Sequence, residues 1–107
     1  MNMIVKDTKV GDAVERSIGA YLDEIVALRH DLHRHPELAF HEHRTSEIVA
    51  SRLKSWGYEV ATGIAGTGVV ATLSRGGGAR SIGIRADMDA LPIEEATGLA
   101  HASVNPG

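Results

Sequence analysis

The sequence predicts an α/β domain in the order helix, helix, strand, strand, strand. Three observations carry that reading. Apolar residues between Ile18 and Leu32 recur at steps of three and four, which describes one face of a helix. A second stretch of helical period runs from about Glu42 to Trp56. After it the apolar runs become short, β-branched and bounded by glycine, the pattern of strands.

Residues 1–15 show no clear period and read as a lead-in segment, with the domain proper spanning 16–107. In the first helix Ile18, Leu22, Ile25, Leu28 and Leu32 form the apolar face, expected against the sheet or the second helix. Pro36 should end it, because the residue before a proline is pushed out of the helical region. "PELAFHE" turns the chain. The second helix would bury Thr45, Ile48, Val49, Leu53 and Trp56, with Glu42 and Glu47 near its positive end and Gly57 just past its last turn. Three strands are then expected in "YEVA", "GVVATL" and "SIGIRA", the last two as buried neighbours joined by the flexible connection "SRGGGAR".

Composition narrows the function. Aromatic residues make up 4 % of the chain, so a core must rest on Ile, Val, Leu and Ala. The net charge is −3 with both signs interspersed, which argues against nucleic acid as a partner. There is no cysteine, hence no disulfide and no thiolate ligand in these residues. No apolar run is long enough for a signal peptide or a membrane span, so the expected location is cytoplasmic, with no membrane partner.

Histidine is the outlier of the composition: of six, five fall between His30 and His43. His30 and His33 are a helical turn apart, and His33 and His35 could pinch a metal. The two-histidine zinc helix with its intervening glutamate is absent, however. The histidines read as exposed or capping residues near a helix end, and His41 and His43 as solvent-facing. The glycines at 63, 66 and 68 precede a strand, so they suit a turn between strands and not a dinucleotide loop.

The acids of "RADMDALPIEEATG" differ. Asp87 and Asp89 follow an expected buried strand, where α/β sheets line ligand clefts. Two carboxylates there repel unless a metal, an arginine such as Arg85 or backbone donors offset them. The alternative is an aspartate turn leading to Pro92. Glu94 and Glu95 are adjacent, point to different sides, and read as a solvated turn or helix start.

Three stretches together resemble the first part of the hippurate hydrolase and aminoacylase-like amidohydrolases, within the larger group of two-metal exopeptidases. They are "LRHDLHRHPELAFHEHRTSEIVASRLKSWGYEV", "GTGVVATL" and "IRADMDALPIEEATGLAHAS" with its closing "NPG". The resemblance covers about residues 25 to 107 and implies several things. The fold is a three-layer α/β/α domain with a mixed sheet, of which 16–107 is an incomplete N-terminal part, lacking the family's dimerisation domain. The parent hydrolyses N-acyl amino acids, hippurate-like small molecules, to a carboxylic acid and an amino acid. It uses two divalent metal ions, zinc, manganese or similar, and is a homo-oligomer. The family's ligand cysteine and histidines and its catalytic glutamate pair fall after "NPG". This chain is therefore expected to be truncated, to carry no catalytic residue or metal ligand, and to be inactive and metal-free by itself. By position Asp89 matches the family aspartate that orients a ligand histidine, and Asp87 stands where a histidine ligand occurs in the wider group. Both are therefore candidates for a supporting role behind the ligands. The competing expectation is a non-enzymatic α/β remnant or interaction module with exposed apolar faces.

Overall fold

A computed structural model describes residues 8–106. It contains two helices and one antiparallel hairpin: α1 (Thr8–Arg34), α2 (His43–Ser55), β1 (Glu59–Ile64) and β2 (Gly68–Thr72). The element order is that of a mixed α/β chain, as the change of period predicts.

Helix α1 begins at Thr8, inside the stretch read as a lead-in, and residues 1–7 lie outside the described residues. It stops at Arg34, before Pro36, with His33 and Arg34 in its last turn facing the negative end of the helix dipole. Helix α2 matches its expected span to within a residue at each end. Its C-terminus is closed by a Schellman motif. Tyr58 N–H donates to Leu53 O at 3.1 Å and Gly57 N–H to Lys54 O at 3.0 Å, with Gly57 at φ 89°. A side chain at that φ costs about 1–2 kcal/mol. Gly57→Ala is therefore expected to lower stability by about 1 kcal/mol, read from the midpoint of denaturant unfolding.

The hairpin pairs Glu59 with Thr72, Val60 with Ala71 and Ala61 with Val70, then bulges before Ile64 meets Gly68. Gly68 is required there, since a Cβ would lie 2.5 Å from the Ile64 carbonyl oxygen. The hairpin packs on α2. A polar bond pins its loop: buried Thr67 donates through Oγ1 to Oε2 of buried Glu42 at 2.6 Å. Of the predicted α2 face, Thr45 is buried, Ile48, Val49 and Leu53 are half-buried, and Trp56 is exposed. Ala50 is the one buried apolar residue among those described.

Three expectations are corrected. First, "SIGIRA" is not a strand, and the three-strand order is not formed. Ile82 and Ile84 are 91 % and 90 % exposed. The connection from β2 is longer than ordinary hairpin loops and carries three consecutive glycines, so it imposes no register. The chain returns to the helical body only after this segment, where Ala90 N–H donates to Glu37 O at 2.8 Å and Leu38 and Ala90 form a parallel bridge. Second, "VVATL" and "SIGIR" are consequently not buried neighbours. Third, the apolar face of α1 is mostly open. Leu28 and Leu32 are half-buried, but Ile18, Leu22 and Ile25 are exposed. A helix of 27 residues is about 40 Å long, and its first half runs past the small body formed by α2 and the hairpin. The radius of gyration, 17.4 Å, exceeds the roughly 13 Å of a closed domain of this length. The described residues do not close three layers on themselves. Among them, no helix is long and apolar enough to cross a membrane.

Candidate functional site

Asp87 and Asp89 lie on the wall of a cleft of about 780 Å³, between the end of α1, the start of α2 and the returning segment 86–103. Leu32, His33, Glu37 and Glu95 also line it. The acids thus share one concavity, although they follow an exposed stretch and not a buried strand.

The two aspartates are in different states. Asp87 is held by Arg85, whose Nε donates to Oδ1 at 3.2 Å while Nη2 lies 3.1 Å from the same oxygen. This is the arginine partner that the spacing suggested. Both side chains are well exposed, so the pair contributes little to stability. Asp89 makes no hydrogen bond or ion pair among the described residues. Its neighbour Ala90 is tied to the "PEL" turn by the bond to Glu37 O, which fixes the backbone beneath it.

Glu37, which the sequence left unassigned, organises one wall. Glu37 caps α2 from outside the helix. Its Oε2 accepts from Arg44 N–H at 2.9 Å, and its Oε1 accepts from Thr45 N–H at 2.6 Å and Thr45 Oγ1 at 2.7 Å. These satisfy amides that the first helical turn leaves without partners. Burial raises the Glu37 pKa, but the bonds from Thr45 and Arg44 outweigh it and hold the carboxyl below its usual value. Glu42, expected to act on the α2 dipole, turns its carboxylate away to Thr67 and to Phe40 N–H at 3.0 Å. The Thr67 bond is the main cause of its lowered pKa.

Glu95 corrects the reading of a solvated turn: its side chain is 15 % exposed. It accepts from Thr97 Oγ1, from Ser103 N–H at 2.9 Å and from His33 Nε2 at 2.7 Å. Chiefly through the Thr97 and Ser103 bonds, its pKa falls to about 2. His33 is therefore a partner of Glu95 and not merely an exposed helix-end residue. Partners 62 residues apart leave no local signal. His35 does behave as a helix-end residue, with Nδ1 3.0 Å from Asp31 O. Asp31 in turn takes Arg44 Nη2 on both carboxylate oxygens at 2.9 Å, linking α1 to α2. His41 and His43 are exposed, with rings edge-on.

The donors do not converge into a metal centre. Among the described residues, no three His, Cys, Asp or Glu side chains are placed to hold one ion. Arg85 engages Asp87, and Glu37, Glu42 and Glu95 are committed to protein donors.

Comparison with known proteins adds what the geometry lacks. No family model and no solved structure matches the chain. Curated sequences do. The chain is 49 % identical over 80 residues to the hippurate hydrolase of Campylobacter jejuni, covering 75 % of this chain and 21 % of that protein. It is 38 % identical over 96 residues to the N-acyl-L-amino acid amidohydrolase of Geobacillus stearothermophilus, covering 90 % of this chain and 26 % of that one. It is 40 % identical over 82 residues to thermostable carboxypeptidase 1 of Saccharolobus solfataricus, covering 76 % and 21 %. Over most of its length the chain therefore resembles the hippurate hydrolase and N-acyl amino acid amidohydrolase group, and it spans about a fifth to a quarter of the length of those relatives.

Proposed function

We propose that this chain forms part of a metal-dependent amidohydrolase that cleaves N-acyl amino acids, with hippurate-like compounds as the substrate class, to a carboxylic acid and a free amino acid. The observation that carries the reading is the similarity to hippurate hydrolase across three quarters of the chain. The cleft supports it: the stretch with the two aspartates forms its wall and is anchored by the Ala90 bond. In this reading two divalent ions, held by residues other than those described, would supply Lewis-acid chemistry. The described residues do not themselves fit such ions, because their carboxylates do not converge. The part left to this chain is orientation. Asp89, in the cleft and without a protein partner, is available to accept a hydrogen bond from a ligand side chain across the cleft and hold its ring. Asp87, already paired with Arg85, supports the turn.

The same reading includes the three-layer α/β/α arrangement with a mixed sheet. Residues 81–86 are exposed, and pairing with further strands would cover Ile82 and Ile84. It also includes a homo-oligomeric parent.

The test is hydrolysis of N-benzoylglycine and N-acetyl amino acids, with zinc or manganese added. A longer protein carrying this chain should release the free amino acid. The 107-residue chain alone should not exceed a metal-only control. Absence of turnover in the longer protein on every N-acyl amino acid tried would overturn the proposal.

A further inference from the structure

The amidohydrolase reading leaves the histidines at the end of α1 unused, yet they make contacts distant in sequence. His101 lies flat on His30, with ring centroids 3.8 Å apart and planes within 1°. His33 meets the edge of His101 at 5.5 Å. On either side of this stack the returning segment is tied by groups that do not titrate in weak acid. Val104 N–H donates to Arg34 O at 2.9 Å, Arg34 Nη2 to Ala100 O at 3.3 Å, and Asn105 Nδ2 to Pro36 O at 2.9 Å. Glu95 holds Ser103 N–H and remains ionised to about pH 2. His33, Glu95, Thr97 and Ser103 all line the cleft that holds the aspartates, so the pinned segment reaches the cleft wall at Ser103.

We propose that His101 is an acid-released latch: its neutral ring, stacked on His30, pins residues 99–104 to the end of α1, and protonation frees that part of the cleft wall. The electrostatics give the direction. Two imidazolium rings at 3.8 Å repel one another. The charged groups facing His101 from α1 are Arg29, His30 and His33, and the one from its own segment is Glu95. Burial first, and then the positive charge of His30, His33 and Arg29, push the His101 pKa below its ordinary 6.5, with Glu95 opposing. The latched state thus binds fewer protons than the released one. The stabilisation is complete above pH 6.5 and is lost as the pH falls through the lowered value. Glu95 stays ionised throughout that range, so no change in its own charge contributes to the release.

The test is amide hydrogen exchange, read as protection factors in the full chain at pH 7 and pH 5. Ala102 N–H, bonded to Leu99 O, and Val104 N–H, bonded to Arg34 O, report the latch. Tyr58 N–H, bonded to Leu53 O, reports the α2 cap. Protection at Ala102 and Val104 should fall several-fold at pH 5 while Tyr58 holds. In His101→Phe, which keeps a flat ring without a titrating nitrogen, it should not fall. Constant protection in the parent, an equal loss in His101→Phe, or a parallel loss at Tyr58 would each overturn the latch. If the variant does not fold, the ring-proton titration of His101 in the parent decides. A midpoint below the ordinary histidine value, shared with the loss of Ala102 protection, supports the latch; a midpoint at the ordinary value overturns it.

Discussion

Asp89→Asn in a longer protein carrying this chain is expected to lower hydrolysis of N-acyl amino acids by about 10–100-fold, the usual cost of losing a carboxylate that orients a metal ligand. Asparagine keeps the size and one acceptor but removes the charge that raises the basicity of the oriented ring. Part of the loss should be recovered at high metal concentration. The structure supplies the control. Asp89 has no hydrogen bond or ion pair among the described residues, so the substitution should leave the melting temperature of metal-free protein unchanged, and lost activity cannot be ascribed to unfolding. Asp87→Asn should be milder, because its partner Arg85 is exposed and asparagine serves equally well in a turn. Full activity of Asp89→Asn at limiting metal would end the positioning role and leave both acids as a turn.

Glu37→Ala should destabilise the chain by about 2 kcal/mol. One carboxylate satisfies two amides and a hydroxyl at the start of α2. Losing a helix cap costs roughly 0.5–2 kcal/mol, and bonds to a charged group contribute about 1.5–3 kcal/mol. The same residue's backbone carbonyl anchors Ala90, but that bond survives the substitution, so the effect reports the side chain. Glu37→Gln, which keeps an acceptor without the charge, should fall between. The pH dependence has a fixed sign. The folded pKa lies below the ordinary 4.5, so the contribution is complete above pH 4.5 and is lost as the pH drops through the lowered value. Thermal melts followed by circular dichroism at pH 7 measure the difference, and an unmoved midpoint in Glu37→Ala would refute the capping role.

Local chemistry was legible where neighbours in sequence are also neighbours in space. The 3–4 spacing, Pro36 and Gly57 placed α2 and the end of α1 almost to the residue, and the glycines at 63, 66 and 68 marked the hairpin loop. Helix periodicity and turn preferences act within a few residues, so a single sequence carries them. The same chemistry misled at "SIGIRA". Its β-branched alternation shows what the segment could pair with, but pairing needs a partner edge and a connection that sets the register, and "SRGGGAR" sets none.

The site divides in the same way. The sequence by itself determined that acids cluster after an extended apolar run, that no thiolate is present, and that the chain resembles the N-acyl amino acid amidohydrolases. Only the tertiary structure decided which acids are free. It gave Glu42 to Thr67, Glu37 to the start of α2 and Glu95 to His33, it kept Asp87 with the neighbouring Arg85, and it left Asp89 in the cleft without a partner among the described residues. Composition cannot distinguish these five carboxylates. Their protonation and reach depend on donors brought within about 3 Å by contacts that span up to 62 residues, and such closure is set by how the helices and the returning segment pack, not by any local pattern.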